Sequence, residues 1–157
     1  MNAAERTVDG LNAERDRRKD LEGLKEELAQ RAAKFLGDGR SKPGGMGYSQ
    51  IRNLVSLTQT ASSVLEIEAF IDYQMGRDND YKSWRCSVGD RPFGEALKDE
   101  IEAIEELALK KRKDDRKFVL LCLTYYFGYL AWRAKYLEYA GSKKTGKEGS
   151  GRRGRRR

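Results

Sequence analysis

The sequence predicts an all-α fold, a small helical bundle of four or five helices. Three observations carry that reading. Apolar residues recur at three-and-four spacing in four separate segments, no run alternates at period two, and glycine and proline clusters punctuate the chain between segments. At 157 residues the chain is long enough for one domain with a real core.

The segment before about Arg18 is charged and has few apolar anchors, so it reads as frayed or as a solvated helical extension. Leu21, Leu24, Leu28, Ala32 and Phe35 then make the narrow apolar stripe of an amphipathic helix. That stripe either packs on its own domain or docks a partner or a second copy. Leu24, Leu28 and Phe35 are therefore candidate protein-interface residues. Gly37-Asp38-Gly39 ends the helix, and Pro43-Gly44-Gly45 makes the linker flexible. Residues 1–43 thus form an extension and linker, and 44–140 the core domain.

The second helix is expected from Ser49 to Met75, with Ser49 as N-cap because its hydroxyl can accept from the first-turn N–H groups. Ile51, Leu54, Val55, Ala61, Val64, Leu65, Phe70 and Ile71 follow at close to helical spacing. Arg52 then stands near a helix N-terminus, a combination that suits a phosphate. Gly76 stops this helix and Arg77-Asp78-Asn79-Asp80 is a polar loop. Tyr81, Trp84 and Cys86 can cover the core as a lid.

Asp90-Arg91-Pro92 begins a third helix, with proline in the first turn. Phe93, Leu97, Ile101, Ile104 and Ala108 are its stripe, and its acid-first, base-last charge order complements the helix dipole. Asp114-Asp115 starts a fourth helix reaching about Ala140. It carries two apolar stripes, one through Val119, Cys122, Leu123, Tyr126, Leu130, Ala134 and Leu137, and one through Tyr125, Tyr129, Trp132, Tyr136 and Tyr139. A helix apolar nearly all round is central or shared with another chain. The aromatic stripe can stack bases, but side chains with polar tips more often form core or protein interface. Tyr129, Trp132 and Tyr136 are accordingly assigned to an interface, with self-association as the expectation.

Formal net charge is +7, and the segment 141–157 carries all of it: eight basic side chains stand there against Glu148 alone. That tail has no sizeable apolar side chain to bury, so it is expected to be disordered. Arg152, Arg153, Arg155 and Arg156 would add salt-sensitive, sequence-blind affinity for a polyanion.

The chain has no histidine, which removes the commonest general base and metal ligand. Two cysteines are too few for a disulfide framework or a zinc site, and a reduced cytoplasm fits. No metal or cofactor is expected. Cys122 has apolar neighbours that raise a thiol pKa, whereas Arg85 beside Cys86 would favour thiolate. Gly44-Gly45-Met46-Gly47 lacks the Gly-Lys-Ser/Thr of a phosphate-cradling loop. No catalytic constellation has support, so no enzyme is expected. The charged N-terminus excludes a signal core, and the apolar run Phe118–Trp132 falls short of the roughly 20 residues of a bilayer span. No membrane partner is expected.

Two phrases resemble the small helical subunit of type III-A (Csm) CRISPR effector complexes. That family opens its first conserved helix with a Ser/Thr–Gln–Ile–Arg phrase, here Ser49-Gln50-Ile51-Arg52-Asn53. It closes on an Ala–aromatic–basic phrase before glycine, here Ala131-Trp132-Arg133-Ala134-Lys135-Tyr136 with Gly141 beyond. The resemblance covers about Tyr48 to Gly141. It implies a non-catalytic structural subunit that stacks in copies along the backbone subunits and helps to hold the guide RNA–target RNA duplex. The implied partners are guide RNA, target RNA and other subunits of that complex. The implied RNA contacts include Arg133 and Lys135 beside Ser49 and Arg52. The alternative is a helical protein–protein adaptor with a polyanion-binding tail.

Overall fold

In a computed structural model, which describes residues 3–37 and 46–148 (side chains to 143), the all-α expectation holds. The elements in chain order are α1 (Ala3–Glu22), α2 (Lys25–Leu36), α3 (Tyr48–Thr60), α4 (Val64–Arg77), β1 (Ser87–Val88), β2 (Arg91–Pro92), α5 (Phe93–Lys111) and α6 (Arg116–Glu148). The linker expected to be flexible falls mostly outside the described residues.

α6 is the axis of the bundle. It packs against α3, α2 and α5, and Phe118, Val119, Cys122, Leu123, Tyr126, Phe127, Leu130, Ala131 and Ala134 are all buried along it. Its 33 residues give a rod of about 50 Å. It runs to Glu148 instead of ending near Ala140, so the first part of the expected tail is helical.

The expected stripe of the third helix is buried in full, from Phe93 through Ala108. The helix starts two or three residues later than expected. Pro92 is its N-cap, and Arg91–Pro92 pairs antiparallel with Ser87–Val88 across a turn at Gly89, whose φ is +65°. This two-residue pairing corrects the expectation of no sheet. Phe93 N–H donates to Cys86 O at 2.7 Å and Gly94 N–H to Trp84 O at 2.9 Å. The hairpin thereby holds Trp84 and Cys86 over the core, as a lid. Trp84 meets Phe70 and Phe93 edge-to-face, and Phe93 meets Phe35 at 5.4 Å.

Two long helices read from periodicity are each divided. The stripe from Leu21 to Phe35 crosses a turn at Gly23-Leu24, where Leu24 N–H donates to Leu21 O. Upstream of that turn α1 is a regular helix. The helix expected from Ser49 to Met75 breaks at Ala61-Ser62-Ser63: Ala61 leaves the helical region at ψ 144° and Ser63 is extended at φ −153°, ψ 159°. Thr58 and Thr60 hydroxyls bond back to Leu54 O and Leu57 O, and Glu66 accepts from Ser62 N–H at 3.1 Å. The break lets Ile67 and Ile71 of α4 join the same core as Ile51 and Leu54 of α3.

An ionic latch ties α1 to the α5–α6 corner. The Asp115 carboxylate accepts from Arg17 Nε and Arg112 Nε, both at 2.9 Å, and from the Phe118 N–H at 3.1 Å. Arg112 also reaches Asp20 at 2.8 Å. Burial pushes the Asp115 carboxyl up, but the hydrogen bonds from Arg112, Arg17 and Phe118 outweigh it and hold the group below its ordinary range.

Candidate nucleic-acid interface

The start of α3 and the C-terminal half of α6 meet at a corner organised by Tyr48. Arg52 lies one turn along α3 and donates to the Tyr48 hydroxyl at 2.7 Å, with its guanidinium carbon 5.8 Å from the ring centroid. From α6, Lys135 Nζ stands 5.5 Å from the same centroid. The two cations come from positions 83 residues apart in the chain, yet share one aromatic ring. Both lie against the Tyr48 ring and remain exposed, so their charge is open to a phosphate.

Ser49 does not cap the helix, which corrects the expected N-cap. Gly47 holds that position at φ −100°, ψ 176°, and Ser49 is exposed in the first turn. The first N–H groups are satisfied from elsewhere: Gln50 Oε1 accepts from Gly47 N–H at 3.1 Å, and Glu138 Oε1 of α6 accepts from Tyr48 N–H at 2.9 Å. A Cβ on Gly47 would sit 3.0 Å from Glu138 Oε1 and 3.2 Å from Gln50 Oε1, so glycine keeps the cap compact. The Tyr48 hydrogen bond, opposed by burial and aided by Lys135, holds the Glu138 carboxyl below its ordinary value. A carboxylate already occupies the helix start where a phosphate was expected. What an anion meets there is Arg52 together with Lys135, whose Nζ also stands 3.4 Å from Glu138 Oε2.

Arg133 has a different task. Its Nε and Nη2 donate to Gly37 O at 3.2 and 2.7 Å, satisfying the carbonyl where α2 ends at a glycine with φ +65°. It is half-buried as a C-terminal cap, so its guanidinium is engaged inside the bundle. Arg152, Arg153, Arg155 and Arg156 lie outside the described residues.

The interface candidates divide. Leu28 is fully buried, and Leu24 and Phe35 pack against the core. These three serve the bundle, because the Gly23-Leu24 turn swings α2 onto α6. On α6, Tyr129 is half-buried, whereas Trp132 is 69% and Tyr136 54% exposed. Tyr129 meets Tyr125 and Trp132 edge-to-face at 6.3 and 5.7 Å.

The organising role of Tyr48 was missed in the sequence. Its signal was present: an aromatic residue one helical turn before an arginine is a cation–π pair in waiting. Cys86 is buried, and burial first, then Asp78, pushes its thiol up to about 11, against the thiolate expected from Arg85. Burial takes Cys122 to about 12, as its apolar neighbours suggested. Among the described residues no group of three metal-ligating side chains gathers, and no helix is long and apolar enough to cross a membrane.

No protein-family model matches the chain, and neither a curated protein nor a solved structure gives a significant match.

Proposed function

We propose that this chain is a non-catalytic RNA-holding subunit, gripping the RNA backbone at the corner formed by α3 and α6. The observation that carries the reading is the convergence of Arg52 and Lys135 on the Tyr48 ring. Two solvent-facing cations beside one ring give a backbone phosphate two charge-assisted partners. Such contacts position an RNA without reading its sequence. The resemblance at Ser49–Asn53 and Ala131–Tyr136 supports a finer form: the small subunit of a type III CRISPR ribonucleoprotein, placed beside the guide–target duplex. Its partners are then the guide RNA, the target RNA and the backbone subunits.

The double substitution Arg52→Ala/Lys135→Ala tests the corner. It should weaken binding to unrelated RNA sequences alike and flatten log K against log salt by about 1–2. Unaltered affinity and slope at low salt would remove the corner from the function. The finer form is tested by purifying the tagged chain from its own cells. Repeat-derived guide RNA and a backbone subunit should come with it, and recovery of neither would discard that assignment.

A further inference from the structure

The phosphate corner leaves unexplained the aromatic ridge of α6, formed by Tyr125, Tyr129, Trp132, Tyr136 and Tyr139. At about 100° per residue these five fall within roughly 80° of arc, so they make one continuous strip. Trp132, Tyr136 and Tyr139 are 69%, 54% and 54% exposed.

Cations attend this strip along its length. Lys25 Nζ lies 5.0 Å from the Tyr125 centroid, the Arg133 guanidinium 5.3 Å from Tyr136, and Lys143 Nζ 4.8 Å from Tyr139. Lys135 stands one turn from both Trp132 and Tyr139, and shares the Tyr48 ring with Arg52. Two of these cations have carboxylate partners, Glu138 beside Lys135 and Glu22 beside Lys25, while among the described residues no carboxylate ion pair joins Arg133, which donates to Gly37 O.

Charge selects the occupant. A second copy of the ridge would set two rows of cations against each other, and an apolar partner would have to desolvate them. A single-stranded polynucleotide offers a π face and a phosphate at every residue. The geometry points to the α6 ridge as a stacking platform for unpaired RNA bases, with Trp132 and Tyr136 receiving bases and Lys135, Arg52 and Lys143 taking the flanking phosphates. The platform presupposes the RNA-holding role of the α3–α6 corner, not its finer form beside the guide–target duplex, and adds a preference for unpaired RNA to it. The bases of an A-form duplex are stacked on one another and cannot lie on the ridge, so single strands are favoured over duplex.

Two tryptophans make the test direct. Trp84 is 4% exposed and Trp132 69%, so fluorescence quenched by a bound base reports Trp132. The full chain is titrated with oligouridylate and with a blunt RNA duplex of the same length at low salt. Oligouridylate should quench saturably and bind more tightly than duplex. Trp132→Ala should weaken oligouridylate binding roughly tenfold and leave duplex binding unchanged, while Trp132→Phe restores most of the affinity. If Trp132→Ala binds oligouridylate as well as the native chain while Arg52→Ala weakens it, the platform is overturned and the phosphate corner stands. If neither RNA form binds, both are overturned. A dimer that forms without RNA, depends on Trp132 and excludes oligouridylate would overturn the platform by showing that a second copy covers the ridge.

Discussion

Glu138→Gln should strengthen RNA binding while weakening the fold. Glu138 Oε1 accepts from Tyr48 N–H at 2.9 Å, and Oε2 lies 3.4 Å from Lys135 Nζ. It therefore stabilises the start of α3 and offsets one of the two cations offered to a phosphate. Its side chain is 45% exposed, so a water-like dielectric applies. A phosphate about 5 Å from that carboxylate is repelled by about 0.8 kcal/mol. Neutralising it should raise RNA affinity about fourfold at low salt, and the gain should fade as the Debye length shortens. Glutamine keeps an acceptor for Tyr48 N–H but loses the charge at a helix N-terminus, costing about 0.5–1 kcal/mol. In a chain of this size that lowers Tm by roughly 1–4 °C. The carboxyl is held below its ordinary value of 4.5 by the Tyr48 hydrogen bond first, against burial and with help from Lys135. Its contribution is thus present above that value and lost as pH falls through the lower folded one, so the two proteins should converge in stability in acid. Fluorescence anisotropy with RNA across a salt series gives the affinity, and circular dichroism melts give the stability. Unchanged or weaker RNA binding by Glu138→Gln at low salt would refute the reasoning.

Three further substitutions probe the scaffold. Asp115→Ala removes the acceptor for Arg17, Arg112 and Phe118 N–H, whose side-chain ion pairs are 12–24% exposed; about 2–3 kcal/mol should be lost, read as a Tm fall of roughly 5–10 °C. The folded Asp115 carboxyl titrates below its ordinary 3.8, so this difference should hold above that value and shrink as pH falls through the folded one; a difference independent of pH would reject the latch. Arg133→Ala should cost about 1 kcal/mol through the lost Gly37 cap and weaken RNA binding less than Arg52→Ala does; the reverse order in filter binding would return Arg133 to the RNA site. Gly94→Ala drives a Cβ into the Met75 side chain and to 3.1 Å from Ile71 Cγ2, and urea melts should show a loss of about 1–3 kcal/mol; a stability equal to the native chain would mean that Met75 simply moves aside.

Much of this fold was legible because its burial is periodic. The α5 stripe from Phe93 to Ala108 and the buried stripe of α6 follow directly from spacing. The break between α3 and α4 was hidden because the apolar pattern continues across it. Its signal was chemical: Ser63 followed three residues later by Glu66 is a helix-start phrase, and hydroxyls at Thr58 and Thr60 mark a weakening end. The paired strands are too short for alternation to register. At the α3–α6 corner, spacing and resemblance singled out Arg52 and Lys135 as candidate RNA contacts and Trp132 and Tyr136 as candidate protein-interface residues, but assigned the N-cap to Ser49. That assignment failed for a tertiary reason. The acceptor at the helix start comes from Glu138, 90 residues away, and Gly47 makes room for it. Arg133 was likewise placed by a partner across the fold, the Gly37 carbonyl 96 residues earlier.

Ultraviolet cross-linking of the full chain to uridine-containing RNA, followed by peptide mapping, tests the central claim most directly. Cross-links should fall on Tyr48 and on Trp132 or Tyr136, the aromatic residues beside Arg52 and Lys135, and should diminish in the Arg52→Ala/Lys135→Ala protein. Cross-links confined to residues 149–157, or spread evenly over the surface, would contradict it.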